Sequence, residues 1–176
     1  MKLTDLLTEK RPAILKRWLD KIIEAYPANT SFFLRKEDQF ANPIGHTIRQ
    51  GTEAIFDALL DGVDLGKIAP FLDGIIRIRA VQEGLPSEGI NFIFALKTII
   101  REMLGPPVQD FQIAEDLLVL ESRIDSIALL AFDNFMKCRE KIYELKANET
   151  RNMTFRLLQK AGIVGEIPGE DPGAKQ

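Results

Sequence analysis

Reactive side chains are scarce in this sequence. Its 176 residues hold one cysteine, Cys138, and one histidine, His46. A lone cysteine excludes an intramolecular disulfide and fits a reducing, cytoplasmic compartment. Protein-bound zinc takes about four clustered donors, which this inventory does not supply. His46 stands beside Gly45 just inside a helix start, a position that suits a surface or turn-capping role better than haem ligation or base catalysis. The carboxylates Asp57, Asp61, Asp64 and Asp73 are scattered and form no EF-hand loop. Gly45, Gly51 and Gly62 follow no phosphate-loop spacing. Ser31, Ser87, Ser122 and Ser126 have no partner base that spacing identifies. Long apolar runs are missing too. Nothing approaches the roughly 18 apolar residues of a spanning helix, and the N-terminus lacks the apolar core of a signal peptide. The net charge of −3 argues against nucleic acid as a partner. These absences predict a chain that is not an enzyme, carries no metal or cofactor, binds no nucleic acid and does not insert into a membrane.

What is present is helical periodicity. Pro12 suits a first helical turn, and Ile14, Leu15, Trp18, Leu19, Ile22 and Ile23 follow at 3–4 residue spacing up to Tyr26-Pro27. Residues 29–41 read as a connector with a helical turn near Phe32 and Phe33. Asn42-Pro43 is an N-cap followed by proline at the first helical position. The helix it opens ends near Asp61-Gly62. A fourth helix spans about Leu65 to Gln82, and a fifth runs from Pro86 or Ser87 to about Leu104, where Gly105-Pro106-Pro107 breaks the chain. The last helix starts near Asp110 and continues to about Lys160. Its stripe is Leu117, Leu120, Ile124, Ile127, Ala131, Phe135, Cys138, Ile142 and Leu145. The fold class is all-α, a bundle of five to six helices with a long C-terminal helix. Residues 1–147 are expected to form the domain, 148–160 a helix extension and 161–176 a disordered tail. The second half of the long helix has a wide polar face. It either folds back on the body or projects and pairs with a second copy as a homodimer.

The segment 75–101 holds the polar residues that fit their surroundings least. Arg79 continues the apolar line Leu65, Ile68, Leu72, Ile75, and a charge on a core stripe must be paired, snorkelled or used. Arg77 stands four residues after Asp73 and can pair with it. Asn91, Lys97, Thr98 and Arg101 share one arc of the fifth helix, with Phe94 among them. Phe94 either floors a pocket or belongs to the core. If Arg79 and Lys97 face each other across the helical hairpin, they need an anion between them: Glu83, Glu102 or a bound ligand.

The same segment carries a resemblance. Arg79-Ala80-Val81-Gln82, Pro86-Ser87, Phe92 to Lys97 and Arg101 are similar to the signature region of the RsbRD N-terminal domain family. Trp18, Tyr26-Pro27 and the Asn42-Pro43-Ile44-Gly45 helix start resemble its layout, so that the likeness covers roughly Leu7 to Arg139. It implies a bacterial sensory module with a globin-like fold that lacks haem. Relatives pass an input to a STAS domain or a histidine kinase, and the family's namesake is the stressosome co-antagonist that controls the kinase RsbT. No such output domain follows in these residues, so a free-standing copy is expected to act on a separate STAS, kinase or redox-complex protein. The resemblance adds Gln82 to the candidate ligand residues Arg77, Arg79, Asn91, Phe94, Lys97 and Arg101. The alternative is a ligand-free structural or adaptor subunit of a redox or signalling complex.

Overall fold

A computed structural model describes residues 2–35, 40, 42–62, 64–82, 84–105 and 111–163. These form six helices: α1 (Leu3–Glu24), α2 (Ala28–Leu34), α3 (Pro43–Asp61), α4 (Leu65–Val81), α5 (Pro86–Leu104) and α6 (Phe111–Lys160). No strand occurs among the described residues. The chain is an all-α bundle with a long last helix, as the periodicity predicts.

The chain divides into two units, residues 1–139 and 140–176. The core of the first is built from the apolar stripes. Trp18 is its hub: the indole is fully buried, its Nε1–H donates to the Phe92 carbonyl at 2.7 Å, and its ring stacks on Phe92 with centroids 6.3 Å apart. Those contacts lock α1 onto α5. From α6 the first unit buries Leu120, Ile124, Ile127, Ala131 and Phe135, while Leu117 and Cys138 are half-buried.

Helix ends follow their local chemistry. Asn42 Oδ1 accepts from the Gly45 N–H at 2.8 Å, and its Nδ2 donates to the Leu34 carbonyl at 2.9 Å. One buried side chain thus caps α3 and holds the end of α2. Gly62 closes α3 in the left-handed region, φ 103°, where a side chain would be strained. Asp64 caps α4 through Gly66 N–H.

Two expectations need correction. Pro12 does not start α1; it lies inside a helix that begins at Leu3. An interior proline costs about 3 kcal/mol. The two earlier turns bury Leu3 and Leu7 almost completely, each contributing roughly 1.5–3 kcal/mol, so the longer helix wins. Second, the helical turn read near Phe32 and Phe33 is a longer helix, which takes residues 28–34 out of the connector. Along α6 burial ends with the first unit, where the sequence shows the polar face widening: in the second unit Ile142 is half-buried and Leu145 is exposed. That unit's described part continues α6 to Lys160, with Tyr143, Met153 and Leu157 exposed and Lys141 paired with Glu144 at 2.7 Å. The breaks expected at Pro106-Pro107 and the tail beyond Ile163 lie outside the described residues.

Candidate functional site

Arg79 sits where the stripe of α4 reaches the N-terminal end of α5. It is 7% exposed. Its Nη2 donates to the Glu88 carbonyl at 2.8 Å and its Nε to the Gly89 carbonyl at 3.4 Å. The guanidinium also lies over the Tyr26 ring, 5.3 Å from its centroid. No carboxylate pairs with it among the described residues; Glu83, a partner considered from sequence, lies outside them. A buried cation is normally paired, and this one stands near the positive end of the α5 dipole. At the guanidinium itself these two charges favour an anionic group.

A cavity of about 380 Å³ opens against this guanidinium. Gln82, Gly84 and Leu85 line it from the α4–α5 turn, Glu88, Gly89 and Asn91 from α5, Ala25 from the end of α1, and Phe135 from α6. Gly89 makes that wall: a Cβ there would lie 2.3 Å from the Phe135 ring. One turn beyond Phe135, Arg139 Nη1 donates to the Ala80 and Gln82 carbonyls at 3.3 and 3.1 Å. It thereby closes the C-terminal end of α4 with the charge the dipole prefers there.

Tyr26 is buried, and its hydroxyl has no hydrogen-bond partner among the described residues. A buried unmade hydrogen bond costs about 1–3 kcal/mol. Tyr26→Phe is therefore expected to leave stability unchanged or raise it by up to about 1 kcal/mol, the ring under Arg79 being kept. Urea unfolding measures this, and a loss above about 1 kcal/mol would mean that the hydroxyl has a partner in solution.

The remaining sequence candidates separate. Arg77 is exposed and pairs with Asp73 at 2.7 Å, an ordinary surface contact. Lys97 does not face Arg79; it pairs with Asp125 of α6 at 2.5 Å, with its Nζ 6.0 Å from the Phe94 centroid. Arg101 makes a two-pronged contact with Glu121 of α6, at 2.5 and 2.7 Å. Glu102 pairs with Arg17. Phe94 is 41% exposed, so it is not core. With Asn91 it lines a second, larger cavity of about 770 Å³ between α1 and α5, among Arg17, Asp20, Lys21, Glu24 and Glu102. The structure thus gathers Arg79, Gln82 and Asn91 at one cavity, puts Phe94 beside another, and uses Lys97 and Arg101 to clamp α5 to α6.

Sequence reading missed Glu88, Leu85 and Phe135 as cavity residues. Glu88 stands three residues after Leu85, at the position where a carboxylate caps a helix, and does so through Leu85 N–H at 3.0 Å. Phe135 lay on the apolar stripe and read as core. His46 is partly buried in the first turn of α3. Among the described residues no group of three or more His, Cys, Asp or Glu is placed to hold a metal, and no helix is long and apolar enough to cross a membrane.

The Arg101–Glu121 clamp has a pH signature. Hydrogen bonds from Arg101 hold the Glu121 carboxyl below its ordinary value, against partial desolvation that acts the other way. A carboxylate depressed in the folded state contributes stability above its unfolded pKa and loses it as pH falls through the folded one. Acid denaturation below the usual carboxylate range should therefore lose part of its steepness in Glu121→Gln, while neutral-pH stability falls. Parallel unfolding curves at neutral and acid pH check this; equal losses at both would remove the linkage.

The Arg79 segment and the helical layout match the RsbT co-antagonist protein rsbRD N-terminal domain over residues 12–150. The chain belongs to that family. Its members are tied to stressosome-related signalling, so the rsbRD N-terminal domain described here is a signalling-family domain. A protein of Archaeoglobus fulgidus, known only as an uncharacterized protein, is 26% identical over 145 residues, covering 79% of this chain and 83% of its own. No solved structure matches.

Proposed function

We propose that this rsbRD N-terminal domain is a non-enzymatic, cytoplasmic sensory module of bacterial type. It takes a small ligand or a partner protein as its input and reports through α6. The observation that carries the reading is Arg79: a buried cation with no carboxylate partner among the described residues, lining a cavity that α6 walls with Phe135. A bound molecule touches α4, α5 and α6 together, so its preference for one arrangement of these helices over another is the signal. The receiver is a STAS, kinase or redox-complex protein, and a homodimer formed along α6 is the expected assembly.

The test is a thermal-shift screen of the intact chain against metabolites and anions, followed by hydrogen exchange along α6 with any hit. A ligand at 100 times its Kd stabilises by about 2.7 kcal/mol. Binding that alters exchange in α6 supports the reading; the absence of both overturns it. Exposed Leu118, Leu129 and Phe132 on α6 favour a second reading, a ligand-free adaptor that docks through that face. Light scattering of the chain and of a Leu129→Glu, Phe132→Glu variant tests that face directly. A lower mass for the variant assigns that face to the homodimer and counts against the adaptor, and identical masses leave the face free to dock a partner.

A further inference from the structure

Two opposite charges line the Arg79 cavity without meeting. Arg79 forms its inner wall and spends its bonds on backbone carbonyls. Glu88 is exposed beside it. One Glu88 oxygen caps Leu85 N–H, and the other has no partner among the described residues. No ion pair joins the two side chains among those residues, although they share one cavity.

This arrangement rejects a plain anion as the best occupant. A carboxylate or sulfate drawn to Arg79 feels the Glu88 charge as repulsion. A molecule with an anionic group at one end and a cationic group at the other is attracted at both. Arg recognises a carboxylate through its planar fork, and an ammonium donates three hydrogen bonds to acceptors such as a carboxylate. Gln82 and Asn91, which carry amides, line the same space, as do Leu85 and Phe135, whose side chains are hydrocarbon and suit a short apolar substituent. The volume, about 380 Å³, falls at the small end of ligand pockets.

We infer that the cavity between Arg79 and Glu88 is a binding site for a small zwitterion of the free amino-acid class. The α-carboxylate lies on Arg79, the ammonium on Glu88 and the side chain against Leu85 and Phe135. This rests on the sensory reading above and names its ligand class.

The experiment is a thermal-shift and calorimetric titration of the intact chain with the common amino acids, with acetate, an alkyl ammonium salt and sulfate as controls. At least one amino acid should raise Tm saturably and exceed both acetate and the ammonium salt at equal concentration. Two variants locate it. Glu88→Gln keeps the cap, since glutamine serves at that position, and removes the charge. It should weaken the amino acid at least tenfold while leaving acetate equal or better. Gln82→Ala removes a half-buried side-chain amide that makes no hydrogen bond among the described residues, and should weaken the same ligand several-fold without lowering the ligand-free Tm. Binding of sulfate or acetate alone, or an amino-acid shift that Glu88→Gln leaves intact, overturns the inference. If instead the wider screen yields an uncharged or purely anionic hit that alters α6 exchange, the zwitterion class fails and the sensory reading survives. If nothing binds at all, both fail.

Discussion

Trp18→Ala is expected to destabilise the first unit by about 3–5 kcal/mol, the range for deleting a buried Trp or Phe from a core. The indole is fully enclosed, stacks on Phe92 and donates to the Phe92 carbonyl. Its loss opens a cavity at the α1–α5 contact. A typical domain has only about 5–15 kcal/mol of stability in total, so the variant should be unfolded or close to it at physiological temperature. Trp18→Phe separates packing from hydrogen bonding: it keeps a ring but loses the N–H, at about 0.5–1.5 kcal/mol for the bond plus the smaller volume lost. Trp18 is the sole tryptophan, so far-UV circular dichroism in urea is the measurement. A cost for Trp18→Ala below about 2 kcal/mol would mean that the α1–α5 contact is not packed this way.

Gly89→Ala is expected to be strongly damaging for the addition of a single methyl group. Its new Cβ would sit 2.3, 2.8 and 3.0 Å from three atoms of the Phe135 ring. Phe135 is itself buried and cannot swing clear without displacing α6. Overpacking of this kind costs about 1–3 kcal/mol and occasionally more. Alanine recovers about 1 kcal/mol of helix propensity over glycine. With three contacts this short, the upper end applies, and the net loss is about 2 kcal/mol. Gly62→Ala is the contrast: nothing among the described residues lies within 4 Å of its Cβ, and its positive φ is what opposes the substitution. Combining Gly89→Ala with Phe135→Leu should recover part of the loss, because the smaller side chain yields the space. Strict additivity of the two would show that the ring and the glycine do not touch in solution. Since both residues line the cavity, Gly89→Ala should also weaken whatever binds there.

The helices were legible because each buries one face, and burial leaves a 3.6-residue signature. Arg79 stood out for that reason: it occupies a position on the α4 stripe that Ile68, Leu72 and Ile75 had marked as interior, and it is interior. Asn42 was legible through its cap chemistry. Lys97 and Arg101 were not placed by the same means. They share an arc with Asn91, but an arc says only which residues point one way, not which helix they meet. Their partners, Asp125 and Glu121, lie on the next helix, α6, and no local spacing connects them. Pro12 misled because its local cost was weighed without the burial of Leu3 and Leu7, which is a tertiary gain.

The sequence by itself determined that this chain is a helical bundle, that Arg79 is an interior charge and, through its Arg79–Arg101 segment, which family it belongs to. Periodicity, capping residues and residue chemistry are local properties, and one strand of text holds them completely. Only the tertiary structure decided which charges are already spent. Arg77, Lys97 and Arg101 find carboxylates, whereas Arg79 finds carbonyls, a ring and a cavity it shares with Glu88 and Phe135. Pairing depends on distances across helices that are remote in sequence, and those distances exist only once α4, α5 and α6 have packed.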